Sequence, residues 1–544
     1  MKFFIPILLI MSVLFFCMGT ISANEVYVNI TGNDDTGDGS AGNPYFTIQK
    51  GISSIQDNGT LKIGNGIYGG VNNTNIIIDR NMSIIGESQA GTILDGENLS
   101  RIFFIQSGVN VSICNLTFIN GNNTGGGAIQ NNGTLTVNNC KFTSNTAGWN
   151  GTNTNFGGAI NNQGTLTVNN SMFNNNDARV GGAIYNSPDA TLNVNNSVFT
   201  NNAGKLGGAI YNHGTSYVKS STFTNNTAQR GGAIFNLNYD QLLNIDNCVF
   251  TDNNATYNYG GAIYNNDGNV TVTGSNFTNN SAPEIGGAIY NEGILNVMGC
   301  IFTGNTANNG GAIYNWLTLT VTGSTFTRNL ATSKGGAIYI YNRWGNAIAN
   351  LNFNRIVGNT ASEGSAIYND GGTVDATKNW WGSNTSPAEK FFGNVTYDPW
   401  IVMKLNPTKT VINGGTTTTL IANFHYDNRG VYHDPANGHI PDGTPVIFKT
   451  NLGQVGSQII TKYTVNGIAT AILKAWDTAG NPVSGTAYIT ATTDAQTITS
   501  NVSILPVVNA ASNTVGMQET GTPVSYLILA ILSLFSGFLV SKRK

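Results

Sequence analysis

A hexapeptide that recurs through the middle of the chain constrains the fold more than any other feature. Its commonest form is Gly-Gly-Ala-Ile-Tyr-Asn, and ten copies begin between Gly126 and Gly364 at steps of 24 to 31 residues. Repeats of this length are typical of a solenoid, in which each repeat is one coil stacked on the next. Because one coil cannot bury its apolar side chains alone, the repeats are expected to share one long core.

Each repeat holds three short segments in which apolar and polar residues alternate. In one unit, Ile184 of the hexapeptide precedes a strand with Leu192 and Val194, and then a strand with Phe199. Alternation places such residues on one face of a strand, and no segment of the repeat has helical spacing. The pattern predicts an all-β chain dominated by a parallel β-helix, with three strands per coil and these positions pointing inward.

Three further columns follow from the same alignment. The Phe column is expected to contain Phe142, Phe173, Phe199, Phe223, Phe250, Phe277, Phe302, Phe326 and Phe353. Asn recurs three residues after most of these Phe residues, where its amide could hydrogen-bond to the amide of the next coil. Cys140, Cys248 and Cys300 fall in a column of small residues two positions before Phe. At about 4.8 Å per coil they are too far apart for disulfides, so we predict buried free thiols.

The regular repeats cover residues 121–378. Residues 24–120 are interpreted as an N-terminal cap and irregular coils, with a short helix near 46–56 over the open end of the core. Residues 379–403 are rich in Trp and Phe and are expected to cap the last coil, although a sugar-stacking platform is the alternative. Residues 404–506 lack the hexapeptide and show alternating strands, which predict a β-sandwich of about 100 residues.

The two ends of the chain predict export and anchoring. Residues 1–23 have a basic start, an apolar run and a small residue for cleavage, as in a signal peptide, with an uncleaved anchor as the alternative. Residues 507–523 are interpreted as a linker. Residues 524–540 are uncharged and predict a single transmembrane helix, followed by a basic cytoplasmic tail at 541–544. The bulk of the protein would then lie at the cell surface, anchored in the cytoplasmic membrane with the C-terminus in the cytoplasm.

Charge excludes some partners. The chain has 25 basic and 28 acidic residues and a net charge of −3, with no basic patch of the kind that binds nucleic acid. Acidic residues between positions 124 and 370 are scattered, so the paired carboxylates of a glycosidase are not predicted. We assign no catalytic residue, no cofactor and no metal site.

Two loops nevertheless contain groups that could bind a metal ion. Asp34, Asp35 and Asp38 lie in one turn-rich loop, which is interpreted as an ordinary Asp/Gly turn with calcium as the alternative. His425, His433 and His439 lie close together in the sequence, but their spacing matches no known ligand pattern. The favoured interpretation is a polar insertion, and the question of metal binding stays open for both loops.

An aromatic residue follows Ala-Ile in most copies of the hexapeptide. Because Ile points inward, its neighbour is expected to point outward, and the rings could form an external stripe that stacks on glycans. The favoured interpretation is an aromatic ladder between coils with no ligand. The candidate binding stripe is Tyr185, Tyr211, Phe235, Tyr264, Tyr290, Tyr314, Tyr339 and Tyr368.

Several motifs resemble known families. Gly-Gly-Ala-Ile with Phe-x-x-Asn is similar to the repeat of polymorphic outer-membrane proteins and of pectin-lyase-like right-handed parallel β-helices. The opening Gly32-Asn33-Asp34 and the closing Asn379-Trp380-Trp381-Gly382 resemble the ends of such helices in microbial surface proteins. The arrangement is most similar to adhesin-like proteins of methanogenic archaea. Asp442-Gly443-Thr444-Pro445 and Asn466-Gly467-Ile468-Ala469 resemble invasin/intimin-type bacterial Ig-like domains.

The resemblance implies a non-enzymatic, membrane-anchored, adhesin-like protein of the cell surface. Its β-helix rod would bind glycans or surface proteins of other cells. A passive structural protein of the cell envelope is the alternative, since it would have the same sequence features. A polysaccharide lyase or hydrolase is the least favoured interpretation, because a surface repeated ten times leaves little that is unique to one active site.

Overall fold

The computed structural model describes residues 24–148, 155–237, 241–343 and 345–507. From Glu25 to Phe392 the chain coils into a parallel β-helix with three long sheets. Strands of successive coils pair in parallel and in register, so that Ile184 lies beside Ile210, and Phe173 beside Phe199. The predicted parallel β-helix with three strands per coil is therefore confirmed.

Each sheet collects one segment of every coil. The strands of the Leu/Val sheet are Glu25–Val28, Gly59–Ile63, Met82–Gly86, Asn110–Cys114, Thr134–Asn138, Thr165–Asn169, Thr191–Asn195, Thr215–Lys219, Leu242–Asp246, Asn269–Thr273, Ile294–Met298, Thr318–Thr322, Ile348–Asn352 and Thr373–Asp375. The strands of the Phe sheet are Gly66–Tyr68, Thr92–Asp95, Thr117–Ile119, Lys141–Thr143, Met172–Asn174, Val198–Thr200, Thr222–Thr224, Val249–Thr251, Asn276–Thr278, Ile301–Thr303, Thr325–Thr327 and Arg355–Val357. The strands of the hexapeptide sheet are Ile76–Ile78, Phe103–Ile105, Ile129–Asn131, Ile160–Asn162, Ile184–Asn186, Ile210–Asn212, Ile234–Leu237, Ile263–Asn266, Ile289–Asn291, Ile313–Asn315, Ile338–Tyr341, Ile367–Asp370 and Phe391–Phe392.

A fourth set of strands, which the sequence does not predict, lies at the corner before the hexapeptide. These corner strands are Asp177–Val180, Ala203–Leu206, Thr227–Arg230, Asn254–Tyr259, Thr306–Asn309 and Leu330–Lys334. Their second residue is Ala in five strands and Gly in the sixth, but the other positions vary from coil to coil, so alternation of apolar and polar residues does not identify them.

The N-terminal end is closed by the one short helix that was expected there. It spans Ile48–Ser54, and the Thr47 side chain caps it by accepting a hydrogen bond from the Lys50 backbone N–H. Ile48 and Ile52 are buried in the core of the β-helix. The helix therefore covers the apolar end of the first coil, as predicted.

The core consists of stacked columns of identical side chains. From Phe118 to Phe326, neighbouring Phe rings are nearly parallel, with centroids 4.7 to 4.8 Å apart. The Asn column is also confirmed: Asn202 donates its side-chain amide to Asn226 Oδ1 over 3.0 Å, and Asn226 donates to the Phe199 carbonyl oxygen over 2.9 Å. Cys140, Cys248 and Cys300 are buried free thiols, as expected.

The predicted Phe column is wrong at one position, Phe353. Phe326 pairs with Ile356, which takes the inward position on the next coil. Phe353 instead occupies a turn with φ of +58° and packs against the core of the C-terminal domain. The reason is that the repeat is shifted here: Asn354, which follows Phe353, takes the position that Ser324 has on the previous coil, and its Oδ1 accepts a hydrogen bond from the Ser324 N–H.

The C-terminal domain contains two sheets. The first is antiparallel and consists of Ile401–Pro407, Thr417–Asp427 and Ile468–Lys474. The second has the order Val411–Asn413, Gln496–Leu505, Gly485–Thr493, Pro445–Thr450 and Ile459–Tyr463. Buried residues from both sheets form one cluster. The Ig-like assignment of this domain stays a prediction.

Other predictions concern parts outside the described residues. The signal peptide at 1–23, all but the first residue of the linker at 507–523, the transmembrane helix at 524–540 and the tail at 541–544 lie there. Within the described ranges, no helix has the length and apolar character needed to cross a membrane.

Candidate functional site

The outer face of the hexapeptide sheet is where the predicted binding residues lie. The turn before each strand needs glycine: Gly181 has φ of +66°, and a Cβ on Gly182 would lie 2.0 Å from the Gly208 carbonyl oxygen. Successive side chains of the following strand alternate in direction. Ile184 therefore joins the core, and Tyr185 lies on the opposite face of the sheet.

The rings of the eight residues of the predicted stripe contact one another from coil to coil; four of the seven neighbouring pairs are stacked, two are tilted and one is edge-to-face. We name this set the aromatic ladder: Tyr185, Tyr211, Phe235, Tyr264, Tyr290, Tyr314, Tyr339 and Tyr368. Neighbouring ring centroids are 4.6 to 5.6 Å apart. The stack continues from Tyr368 to Phe392 over 4.5 Å. The rings form a cluster separate from the main core, so they lie on the outer side of the sheet, as predicted.

The rings do not form an exposed stripe; they pack against one another, as the ladder interpretation expects. From Tyr211 to Tyr368, each ring is only 1 to 7% exposed, and Tyr185 is half-buried. The physical reason is that neighbouring rings pack against one another along the rod, while the partly buried side chains around them cover much of their remaining surface. A pyranose ring therefore has no free aromatic face to stack on along this part of the ladder.

The first group of covering side chains comes from the corner before the hexapeptide. We name these residues the leading column: Phe156, Val180, Leu206, Arg230, Tyr259, Ile285, Asn309, Lys334 and Glu363. They pair directly from coil to coil, as Leu206 does with Arg230 and Asn309 with Lys334. The column is apolar over its first three coils and becomes polar and charged towards its end.

The second group comes from the residue immediately after each hexapeptide. We name these residues the trailing column: Gln163, Ser187, His213, Leu237, Asn266, Glu292, Trp316, Tyr341 and Asp370. The structure pairs Leu237 with Asn266 and Tyr341 with Asp370. No two neighbouring coils carry the same residue at this position. The ladder residues are thus nearly the same on every coil, whereas the residues of the leading and trailing columns on either side of them change from coil to coil.

Several hydroxyl groups of the ladder bind side chains of the trailing column. Glu292 accepts hydrogen bonds from the Tyr264 hydroxyl over 2.7 Å and from the Tyr290 hydroxyl over 2.6 Å. Asp370 accepts one from the Tyr339 hydroxyl over 3.1 Å. Burial raises the pKa of the Tyr264, Tyr290 and Tyr339 hydroxyls above their ordinary value, so these groups stay protonated and act as donors.

Cations from the leading column lie over aromatic rings. The Arg230 guanidinium is 5.3 Å from the centre of the Tyr259 ring, and the Lys334 ammonium is 4.7 Å from the centre of the Tyr368 ring. The face therefore presents fixed positive and negative groups beside half-buried aromatic side chains. Such a surface can orient a polar partner. The carboxylates of Glu292 and Asp370 already accept hydrogen bonds from tyrosine hydroxyls of the ladder.

The two loops considered for metal binding are organised by internal hydrogen bonds. Asp34 accepts from the backbone N–H groups of Phe46 and Thr47 over 2.8 and 3.0 Å. These bonds tie the loop to the start of the short helix. Within the described ranges, no three His, Cys, Asp or Glu side chains come together as a metal site would require.

The three histidines considered for metal binding also contact separate partners. His425 Nε2 lies 2.6 Å from the Asn466 carbonyl oxygen, and His433 Nε2 lies 3.0 Å from Asp427 Oδ2. His439 Nδ1 lies 2.8 Å from the Ile440 carbonyl oxygen. The three rings therefore contact three different groups and do not converge on one point.

Trp380 and Trp381 of the Trp-rich segment are buried and offer no open sugar platform. Trp381 belongs to the core of the β-helix, where Phe391, Tyr397 and Trp400 pack against that core. Trp380 belongs to the core of the C-terminal domain. The segment joins the two cores, and Phe392 at the end of the ladder is 44% exposed.

One family model matches parts of the β-helix. Residues 220–237, 274–292, 299–315 and 323–341 match the Chlamydia polymorphic membrane protein repeat. Each matched segment begins at or just before a Phe strand and ends within or just after a hexapeptide. A search of curated proteins finds no match.

Several solved structures are similar at low identity. A PL6 family alginate lyase, AlyGC, is 11% identical with a TM-score of 0.42, covering 70% of this chain and 54% of the lyase. This chain therefore spans about half the length of that lyase. The tailspike protein of Escherichia coli bacteriophage HK620, solved with a pentasaccharide, is 11% identical with a TM-score of 0.33, covering 82% of this chain and 81% of the tailspike. A rhamnogalacturonan lyase is 14% identical with a TM-score of 0.27, covering 60% of this chain and 84% of the lyase.

The sequence prediction located the ladder but missed the two columns that cover it. Both columns lie at fixed offsets from the hexapeptide, one residue before the first Gly and one residue after the last position. Aligning the copies and reading the positions that vary would have found them. Repetition draws attention to the constant residues, whereas the distinctive groups of this face lie at the variable ones.

Proposed function

We propose that this chain is a cell-surface, adhesin-like protein that binds glycans or proteins of other cells and does not catalyse a reaction. The observation that carries the proposal is the pair of variable columns on either side of the constant aromatic ladder. A binding site needs side chains that differ from those along the rest of the rod. The leading and trailing columns provide such side chains. The buried ladder keeps them at fixed positions.

The last coils of this face combine partly exposed aromatic side chains with charged side chains. Trp316 and Tyr341 are half-buried, with ring centroids 5.0 Å apart, and the Lys334 ammonium and the Asp370 carboxylate belong to the same group of coils. Aromatic side chains with a partly free face, next to hydrogen-bonding and charged groups, suit sugars and polar protein surfaces. We infer that contact with a partner centres here.

The match to the polymorphic membrane protein repeat supports a location at the cell surface. We further propose that residues 404–506 form an Ig-like stalk and that residues 524–540 anchor the chain in the cytoplasmic membrane, with the tail at 541–544 inside. These parts of the proposal rest on the sequence and on its resemblance to adhesin-like proteins.

The test uses the full chain and two matched double variants. Trp316→Ser with Tyr341→Ser removes the aromatic side chains from the binding face. Met172→Ser with Ile301→Ser removes apolar side chains that are 42% and 44% exposed on the Phe sheet. We expect the first double variant to reduce binding on a glycan array and attachment to cells at least tenfold, and the second to leave both unchanged. Equal effects of the two would contradict the proposal.

A passive structural protein of the envelope is the second candidate. The mutual stacking of the ladder favours it, because the rings already satisfy one another without a ligand. A strain lacking this protein separates the two functions: an adhesin affects attachment to other cells, whereas a structural protein affects resistance of the envelope to osmotic stress. Release of reducing or unsaturated sugars from a panel of polysaccharides by the full chain would contradict the absence of catalysis.

A further inference from the structure

A cavity of about 560 Å³ lies at the junction between the β-helix and the C-terminal domain. Two neighbouring coils of the Phe sheet contribute Arg328 and Arg355, and the Trp-rich segment contributes Trp381 and Lys390. The C-terminal domain contributes Asp494. The cavity is separate from the binding face described above, since its lining contains no residue of the ladder or of the two columns.

The charged groups of the cavity do not balance. Asp494 pairs with the Arg355 guanidinium and also accepts a hydrogen bond from Trp380 Nε1 over 2.7 Å, so this carboxylate is fully engaged. Among the described residues, the only carboxylate that pairs with Lys390 is the exposed Glu389, at 3.9 Å. No ion pair involves Arg328 in the part of the chain that the structure describes. Two cations therefore remain at the cavity of a chain whose net charge is −3.

The backbone at Arg328 is unusual for this residue type. Its φ is +55°, in a turn where other coils carry Asn225, Asn279, Gly304 or Gly358 at similar φ. Asn and Gly adopt this conformation readily, whereas a long side chain does so rarely and is found there mainly when another role maintains it. On the next coil, a Cβ at Gly358 would have no atom within 4 Å. The space beside Arg328 is open.

Trp381 also lines the cavity. Its ring is 1% exposed and belongs to the core of the β-helix, and its Nε1–H group is buried there without a hydrogen-bond partner. The indole therefore forms an apolar part of the cavity wall, beside the two cations.

We propose that this cavity binds an oxyanion: the carboxylate of an acidic sugar, or a sulfate or phosphate group. An arginine guanidinium presents a planar set of donors that matches the oxygens of such groups, and a lysine adds a second positive charge. Neither the binding function proposed above nor the ladder is required for this site.

The experiment measures binding of small oxyanions to the purified full chain by isothermal titration calorimetry. Inorganic sulfate, inorganic phosphate and glucuronate are titrated separately, with sodium chloride keeping the ionic strength constant. We expect saturable binding to one site for at least one of them. The three arms distinguish a carboxylate from a sulfate or phosphate source.

Three variants test the residues. Arg328→Asn installs the residue that other coils carry in the same turn, so folding should be retained, and binding should weaken by about tenfold or more. Lys390→Gln should weaken it severalfold, while Lys205→Gln, an exposed cation far along the rod, should not. Absence of saturable binding, or equal affinity in Arg328→Asn, Lys390→Gln and Lys205→Gln, would overturn the proposal. Thermal unfolding of each variant verifies that it is folded.

Discussion

Trp380 and Trp381 are consecutive residues, but their rings lie in two different cores. Trp381 contacts Phe391 with ring centroids 4.8 Å apart inside the β-helix, whereas Trp380 contacts Phe424 over 5.1 Å inside the C-terminal domain. Alternation of side chains along an extended backbone makes this possible. The last coil is therefore closed by residues that also begin the core of the next domain, and the two domains are continuous in packing.

Asp494 is predicted to couple these two domains. Its carboxylate binds Trp380 Nε1 and Arg355, and both members of the ion pair are largely buried. Asp494→Ala leaves the largely buried Arg355 guanidinium and the Trp380 indole N–H without this partner and places Ala at a φ of +50°. We expect the free energy of unfolding to fall by about 3 kcal/mol, of which about 1 kcal/mol is backbone strain. Chemical denaturation followed by tryptophan fluorescence measures the change. The double variant Asp494→Ala with Arg355→Ala should lose less free energy of unfolding than the two single variants lose together. Full additivity of the two single losses would contradict the coupling.

The Phe column is predicted to carry much of the stability of the rod. Phe250 is fully buried and stacks on Phe223 and Phe277, with centroids 4.8 Å away on both sides. Phe250→Ala removes these contacts and leaves a cavity, so we expect a loss of about 3–5 kcal/mol in urea denaturation. Tyr257→Ala is the control, because that ring is 61% exposed and its loss should change stability by less than about 0.5 kcal/mol. Similar losses for both variants would show that the stack contributes little.

The Asn column is predicted to be sensitive to loss of a single amide. Asn226 accepts hydrogen bonds from the backbone N–H and the side-chain amide of Asn202, and it donates to the side chain of Asn253. Asn226→Ala leaves buried partners on both neighbouring coils unsatisfied, and we expect a loss of about 2–4 kcal/mol.

Asn225→Ala provides the matched comparison for this column. That residue is adjacent but exposed, with φ of +54°, so its replacement should cost only about 1 kcal/mol of backbone strain. The two variants are compared by thermal and urea denaturation. A larger effect at Asn225 than at Asn226 would show that the turn conformation, and not the amide column, determines stability here.

Much of this architecture could be predicted because repetition multiplies a weak signal. A single Phe-x-x-Asn says little, but the same spacing in many coils aligns columns that stacking then stabilises. Phe353 shows where this inference fails: the repeat shifts by a few residues near its end, and Ile356 takes the inward position. Spacing from the previous copy cannot reveal such a shift, because only the pairing of the strands defines it.

The candidate site was harder to predict, since alternation indicates on which side of the sheet a side chain lies but not which other side chains bury it. The sequence predicts correctly that Tyr290 leaves the core, but the ring is 1% exposed because Glu292, Trp316 and neighbouring ladder rings surround it. Glu292 lies two residues away in the sequence, but Trp316 and the neighbouring ladder rings come from other coils. The corner before the hexapeptide adds Tyr259, whose ring centroid is 4.9 Å from that of Tyr290.

The three buried thiols are predicted to make stability fall at alkaline pH. Burial raises the pKa of Cys140 and Cys300 to about 12 and that of Cys248 to about 11, from an ordinary value of 9.0. An unfolded thiol therefore ionises before a folded one, so this contribution to stability is complete below pH 9 and is lost as the pH rises from about 9 towards 12. At pH 10 each thiol should lower the free energy of unfolding by about 1.4 kcal/mol relative to pH 7.

The control for this pH dependence is a variant in which Cys140, Cys248 and Cys300 are all replaced by Ser, the residue that most other coils carry at this position. Because its tyrosines still titrate, the difference between the two proteins isolates the thiols. We expect the parent chain to lose about 4 kcal/mol more than the triple variant between pH 7 and pH 10, measured by urea denaturation. Parallel losses in the two proteins, or reaction of the folded thiols with iodoacetamide at pH 8, would contradict their burial.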